Sequence, residues 1–137
     1  MKILVAYDGS GRGRDVLKWA ARLAKAEADS RVTVISVAAA LEASPPIADA
    51  VDPSSTVEKH RAHLADAGAA LAAAGVQADT VLKVGNPAEE IINAGDDGDY
   101  ELILIGSTGS HHAMRFLMGS VSDRVARHAS RPVLIVR

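Results

Sequence analysis

The chain has 137 residues, and its 15 lysines and arginines nearly balance its 17 aspartates and glutamates, giving a formal net charge of −2. This balance provides no dominant field that would attract nucleic acid or an anionic membrane, so neither is an expected partner. Hydrophobic residues make up 48% and aromatic residues 3%, which predicts a core of aliphatic side chains. The absence of cysteine excludes a disulfide framework and a thiolate nucleophile.

The apolar segments are too short for a membrane-spanning protein. The longest apolar run is far shorter than the roughly 20 residues that cross a bilayer, and the chain opens with Met-Lys and a short apolar run rather than a signal peptide. We therefore expect a cytoplasmic protein and, at this length, a single domain over residues 1–137.

Apolar runs alternate with amphipathic segments along the chain. The runs predict buried strands, and the segments, whose apolar residues recur at helical spacing, predict helices. The expected strands are residues 3–6, 32–37, 77–84, 101–105 and 132–136, and the expected helices are 14–28, 57–71 with Gly75 as its cap, 88–93 after Pro87, and 121–128. The order βαβαβαβαβ requires parallel strands and right-handed crossovers, hence a three-layer α/β domain with its ligand crevice at the carboxyl ends of the strands.

Two segments are expected to interrupt this alternation. Residues 38–56 contain Pro45, Pro46 and Pro53 without a clear period, which predicts a long surface loop. The polar run 95–99, Gly-Asp-Asp-Gly-Asp, predicts that the short helix before the fourth strand has ended.

A glycine motif follows the fourth strand. Gly106 and Gly109 are separated by two residues, and Gly119-Ser120 follows nine residues later, at the start of the last helix. Glycines leave backbone N–H groups unshielded and a helix N-terminus favours an anion, so this spacing predicts a phosphate site. Two structural alternatives remain: the glycines only form turns, and Ser120 caps its helix in a capping box with Asp123.

This motif resembles the ATP-binding motif of the universal stress proteins. Residues 3–10 are similar to that family's first strand and acidic turn, residues 84–91 to its Gly-x-Pro-x-x-x-Ile helix start, and residues 119–125 with 131–136 to its closing helix and strand. The resemblance implies a Rossmann-like αβα fold with a five-stranded parallel sheet. It also implies ATP with Mg²⁺ as the ligand and a homodimer formed through the last strand, residues 132–137.

The resemblance assigns roles to individual positions around the nucleotide. Ala6 corresponds to the position beneath the base, the Val37 backbone to the one that recognises adenine, and Asp8 to the acidic residue near the ribose and the metal. The implied cofactor-binding residues are Ala6, Asp8, Val37, Gly106, Gly109, Gly119, Ser120 and Val121.

Several polar residues have competing interpretations. Ser110, His111 and His112 stand where the family often has Arg and then Ser-Gly, and we hypothesise that they contact phosphate with a charge that fades through neutral pH. The alternative is a pair of solvated loop histidines. Asp8 is equally typical of an ordinary strand-to-helix turn with a capping side chain.

His60 and His63 lie one helical turn apart, but no carboxylates or thiolates that would complete a metal site are recognisable beside them. We expect both histidines to be surface residues and no metal to be held by protein ligands alone.

The leading functional hypothesis is a regulatory protein of the stress response, in which ATP biases the conformation or dimer state seen by a protein partner. Hydrolysis is expected to be slow or absent, because no general base beyond Asp8 and no arginine finger can be recognised, and no catalytic residue is assigned. One alternative is a dimeric interaction module of the same fold that binds no nucleotide. Another is an ATP-dependent transferase or ligase, which fold alone does not exclude.

Overall fold

The computed structural model describes residues 1–11, 13–39, 53–107 and 118–137. Within them lie five strands and four helices that alternate along the chain, as expected from the hydrophobic pattern. The strands are β1 (Lys2–Ala6), β2 (Arg31–Ala39), β3 (Ala78–Gly85), β4 (Leu102–Gly106) and β5 (Val133–Val136), and the helices are α1 (Gly13–Ala26), α2 (Pro53–Ala73), α3 (Pro87–Asp97) and α4 (Ser120–His128).

The five strands form one sheet in the order β3-β2-β1-β4-β5, and every neighbouring pair is parallel. The register pairs Leu4 of β1 with Thr33 of β2 on one side and with Ile103 of β4 on the other. This confirms the predicted α/β class with a five-stranded parallel sheet. The order reverses between β1 and β4, so the carboxyl ends of these two strands mark the topological switch point.

Alternate residues of the strands face two separate helix layers. Ile3 and Val5 of β1 pack in a core with α1 and α2, whereas Leu4 packs in a second core with α3 and α4. A parallel sheet covered on both faces needs apolar residues at successive positions, and this explains why the strands read as continuous apolar runs. Within the described residues, no helix has the length and hydrophobicity needed to cross a membrane.

The predicted loop over residues 38–56 is too long at both ends. Strand β2 continues to Ala39, whose Cα pairs with that of Gly85 at the end of β3, and α2 already begins at Pro53. Proline is compatible with this position because the first helical residue needs no hydrogen-bonded N–H group. Residues 40–52, with Pro45 and Pro46, lie outside the described residues.

Helix α3 is one turn longer than its sequence indicated. Asn86 caps its start by accepting a hydrogen bond from Glu89 N at 3.2 Å, and Pro87 occupies the first turn, as predicted. The polar run 95–99 does not end the helix at Asn93, however, because α3 continues to Asp97. Gly95 is buried, and a Cβ there would lie 2.7 Å from Ile103 Cδ1, so this glycine lets α3 approach the sheet closely.

Candidate functional site

A cavity of about 380 Å³ opens at the carboxyl ends of β1, β2 and β4, at the switch point of the sheet. It arises because the chain leaves β1 towards α1 on one face and leaves β4 towards α4 on the other. Its volume lies within the range typical of small-molecule sites. It is lined by Ala6, Tyr7, Asp8, Ser10, Gly13, Ile35, Val37, Ala39, Thr56, His60, Pro87, Ile91, Ile105, Gly106, Gly119, Ser120, Val121 and Ser122.

Most of the residues predicted from sequence meet in this cavity. Its lining includes the predicted residues of β1, of the turn that follows it, of β2, of the carboxyl end of β4 and of the N-cap and first turn of α4. They are Ala6, Asp8, Val37, Gly106, Gly119, Ser120 and Val121. Gly109, Ser110, His111 and His112 fall in residues 108–117, outside the described residues, so their predicted phosphate contacts stay predictions.

The cavity has an apolar part and a polar part. Val37, Ile91 and Ile105 belong to the core between the sheet and α3 and α4, and their side chains form an apolar wall. Asp8, Ser10, His60 and Ser120 contribute polar groups. An apolar cleft with a few polar groups is the usual form of a site for a ring system carrying polar substituents.

The turn after β1 is held by its own side chains. The Asp8 Oδ1 atom accepts a hydrogen bond from Ser10 N at 2.9 Å, and Ser10 Oγ accepts one from Gly13 N, the first residue of α1, at 3.2 Å. Gly9 between them has a φ of 79°, a left-handed conformation that favours glycine. The structural interpretation of Asp8 as a turn-forming side chain is therefore correct, and the same residue also lines the cavity.

Hydrogen bonds join the residue after β4 to the start of α4, the two parts of the chain that carry the glycine motif. Gly119 N donates a hydrogen bond to Ser107 O at 2.6 Å, and Ser122 Oγ donates to Ser107 O at 2.8 Å and to Gly119 O at 3.0 Å. These bonds hold Ser107, just after β4, against the start of α4.

The predicted capping box at Ser120 is wrong. Helix α4 begins at Ser120 itself, so Gly119 occupies the N-cap position and provides no side-chain hydrogen bond there. Because no side chain caps this end, the first N–H groups of α4 remain available beside a cavity lined by Gly119, Ser120 and Val121.

His60 is a cavity residue that the sequence interpretation missed. Its side chain is half-buried rather than on the surface, and its Nδ1 lies 2.6 Å from the Oγ of Ser36 in β2. The signal was present, because His60 lies four residues before Leu64 on the stripe that continues through Ala67 and Leu71, all three of which are buried.

His63 is half-buried as well and packs against the turn after β1. A Cβ at Gly9 would lie 2.4 Å from the His63 ring, and the ring also makes edge-on contacts with Tyr7 and His60. His63 therefore links His60, which lines the cavity, to the turn after β1. Within the described part of the chain, no group of three or more His, Cys, Asp or Glu residues could hold a metal ion.

Burial lowers the pKa of His60 below its ordinary value, the charges of His63 and Lys59 lower it further, and Asp8 acts in the opposite direction. The folded state therefore disfavours protonated His60. The unfolded chain binds that proton more readily. The contribution of neutral His60 to the free energy of unfolding is therefore fully present above about pH 6.5 and is lost as the pH falls through the folded-state pKa.

We expect the free energy of unfolding, measured by urea titration, to decrease below about pH 6.5, and to decrease less steeply in His60→Asn. Asparagine keeps a polar partner for Ser36 but has no titrating ring. Identical slopes in the wild type and in His60→Asn would contradict the assignment to His60.

A family model described as the universal stress protein family matches residues 1–137. The chain belongs to the universal stress protein family. Universal stress protein YxiE of Bacillus subtilis is 32% identical over 146 aligned residues, covering 99% of this chain and 98% of that protein. The predicted resemblance to this family is thereby confirmed.

Solved structures of other universal stress proteins share the fold over the whole chain. UspA from Lactobacillus plantarum superposes with a TM-score of 0.82 at 25% identity, covering 100% of this chain and 97% of that one. The universal stress protein from Archaeoglobus fulgidus in complex with dAMP superposes with a TM-score of 0.76 at 26% identity, covering 100% and 98%. An adenine nucleotide is thus a ligand of at least one universal stress protein with this fold.

Proposed function

We propose that this universal stress protein binds an adenine nucleotide, with ATP as the expected ligand, in the cavity at the ends of β1, β2 and β4. The observation that carries the proposal is that residues far apart in the sequence, among them Ala6, Asp8, Val37 and Gly119, line one cavity of about 380 Å³. The dAMP complex of the Archaeoglobus fulgidus relative supports the same ligand class.

The chemistry of the cavity suggests how the nucleotide would lie. The apolar wall around Val37, Ile91 and Ile105 suits a purine ring, and Asp8 provides carboxylate oxygens on the polar side, where a ribose would sit. Gly106 and the uncapped start of α4 suit the phosphates, because backbone N–H groups and the helix dipole both favour an anion.

The Mg²⁺ ion expected with ATP fits this cavity only if phosphate oxygens of the nucleotide supply some of its ligands. The described residues provide a single carboxylate at the cavity, that of Asp8. Mg²⁺ is commonly held by one or two carboxylates together with phosphate oxygens and water, so Asp8 could contribute once the phosphates are in place.

We further propose that nucleotide binding has a regulatory role, in which occupancy biases the state that a protein partner recognises. The expected homodimer through residues 132–137 belongs to the same proposal. Strand β5 lies at the edge of the sheet, and Val133, Leu134 and Ile135 are only half-buried, so a second copy would cover apolar surface and unpaired backbone groups.

The direct test is to denature freshly purified protein and identify any nucleotide released, and then to titrate ATP, ADP, AMP, cyclic AMP and adenosine calorimetrically into the stripped protein. We expect ATP to bind and adenosine to bind more weakly. A wild-type protein that binds none of these compounds would contradict the proposal and would favour an interaction module without nucleotide.

The phosphate side can be tested separately with Gly119→Val. Gly119 has φ −62° and ψ 156°, an extended conformation that valine adopts readily, so the fold should survive. A side chain there would crowd the start of α4, and we expect the affinity for ATP to fall about tenfold, or ~1.4 kcal/mol, with that for adenosine unchanged.

Gly11→Val is the matched control, because a Cβ at Gly11 would meet no atom within 4 Å and the residue does not line the cavity. An equal loss of ATP and adenosine affinity in Gly119→Val would place the phosphates elsewhere.

A further inference from the structure

Ser36 and His60 form a hydrogen-bonded pair beside the cavity. Ser36 lies in β2 and is only 1% exposed, and its Oγ lies 2.6 Å from His60 Nδ1. His60 lines the cavity, whereas Ser36 lies behind it and does not. With Nδ1 occupied by Ser36, the remaining polar atom of the ring is Nε2, which has no hydrogen-bond partner among the described residues.

The burial of Ser36 decides which imidazole nitrogen carries the proton. Within the described residues, His60 Nδ1 is the one hydrogen-bond partner of the Ser36 hydroxyl. If Nδ1 donated the bond, the hydroxyl hydrogen would be buried without an acceptor, at a cost of about 1–3 kcal/mol. Ser36 therefore donates and Nδ1 accepts, so the neutral ring carries its proton on Nε2. Burial and the charges of His63 and Lys59 lower the pKa of His60 and keep the ring neutral.

The position of the pair indicates which part of a ligand the Nε2–H group would meet. Ser36 is on β2, and β1 separates β2 from β4, where the glycine motif begins. With neighbouring strands about 4.8 Å apart, Ser36 lies roughly 10 Å from the strand that leads to the phosphate side. On the nucleotide orientation proposed above, His60 therefore lies on the nucleoside side of the cavity.

We propose that His60 is a nucleotide-binding residue whose Nε2–H group donates a hydrogen bond to the nucleoside part of the ligand, and that Ser36 is a positioning residue that fixes this tautomer. The inference rests on the proposed function and adds a donor on α2 to the residues assigned from the glycine motif and the ends of the strands. A donor of fixed tautomer selects ligands that place an acceptor, such as a sugar oxygen or a ring nitrogen, at that point of the cavity.

Two substitutions separate the roles of the two nitrogens. The amide of His60→Asn lies near the place of Nδ1, so it can still pair with Ser36 but offers no donor to the cavity. The amide of His60→Gln reaches the place of Nε2 and restores the donor. Since a hydrogen bond contributes about 0.5–1.5 kcal/mol, we expect His60→Asn to bind adenosine and ATP about 2- to 13-fold more weakly, and by the same factor for both.

His60→Gln should retain affinity within about twofold, and His128→Asn on the exposed end of α4 should match the wild type. Wild-type affinity in His60→Asn would overturn the proposed contact, and so would an equal loss in the Asn and Gln variants. A loss for ATP alone would also overturn it, because that pattern belongs to a phosphate contact.

The tautomer can be measured on the wild-type protein without any ligand. Long-range ¹H–¹⁵N correlation spectra at about pH 7.5, where a histidine of ordinary or lowered pKa is neutral, should show a protonated Nε2 and an unprotonated Nδ1 for His60. A protonated Nδ1 would overturn this inference and leave the proposed function intact. A wild-type protein that binds neither adenosine nor ATP would instead overturn the proposed function and the contact with it.

Discussion

Gly95→Val is expected to destabilise the protein by about 3 kcal/mol, because the helix α3 packs against the sheet with no room for a side chain at this position. A Cβ at Gly95 would lie 2.7 Å from Ile103 Cδ1 and 3.9 Å from Leu4 Cδ2. Neither neighbour has space to retreat, since Ile103 is 0% exposed and Leu4 is 1% exposed. The change should appear as a lower midpoint of urea unfolding, with Gly95→Ala about half as damaging.

Two further variants show whether this contact is the cause. Ile103→Val removes the Cδ1 atom that the new side chain would meet, so in a double-mutant cycle it should recover about 1 kcal/mol of the loss in Gly95→Ala. Gly68→Ala, on α2, would meet no atom within 4 Å and should stabilise the protein by about 0.5–1 kcal/mol through helix propensity. A Gly95→Ala variant that is also stabilised would contradict the claim that α3 packs too closely against the sheet for a side chain at this position.

The same glycine explains why the end of α3 could not be predicted from the sequence. Gly95 and Asp96 are poor helix formers, so their local preference indicates a turn. Tertiary contacts override it, because Gly95 is needed against Ile103 and Asp96 bonds the hydroxyl of Ser130 and pairs with Arg131. These partners are distant in sequence, and a local pattern carries no information about them.

The parallel sheet and its layering followed more readily from the sequence, because they depend on patterns that local physics enforces. Buried parallel strands require continuous apolar runs, and the alternation with helices leaves few permitted topologies. The exact end of β2 did not follow, since Ala38 and Ala39 have little preference for a strand and are extended by pairing with β3.

The meeting of Asp8, Val37 and Gly106 in the candidate site was predictable, because the carboxyl ends of neighbouring parallel strands share one edge of the sheet. His60 was missed, since histidine on a helix is more often solvated. Its place on the apolar stripe of α2 indicated burial, but its contact with Ser36 of β2 could not be predicted from a local pattern. The Ser120 capping box failed for a different reason, because the sequence does not show that the helix already includes Ser120.

Ala6→Leu is expected to weaken nucleotide binding about 100-fold while leaving the protein folded. Ala6 is the last residue of β1, is only half-buried, and lines the cavity between Ile35 of β2 and Ile105 of β4. An isobutyl group there would project into the apolar part, where the purine ring is proposed to lie. Overlap of this kind costs typically 1–3 kcal/mol or more, so we expect the affinity for ATP to fall about 100-fold.

Because the purine is common to all the ligands, Ala6→Leu should weaken adenosine as severely as ATP, in contrast to Gly119→Val, which should weaken ATP alone. Ala72→Leu on the exposed face of α2 makes the same chemical change away from the cavity and should bind like the wild type. Retained ATP affinity in Ala6→Leu, measured by calorimetry on protein with a wild-type unfolding transition, would show that the base does not enter this part of the cavity. A selective loss of ATP would instead mean that the phosphates occupy it, and the proposed orientation of the nucleotide would then be reversed.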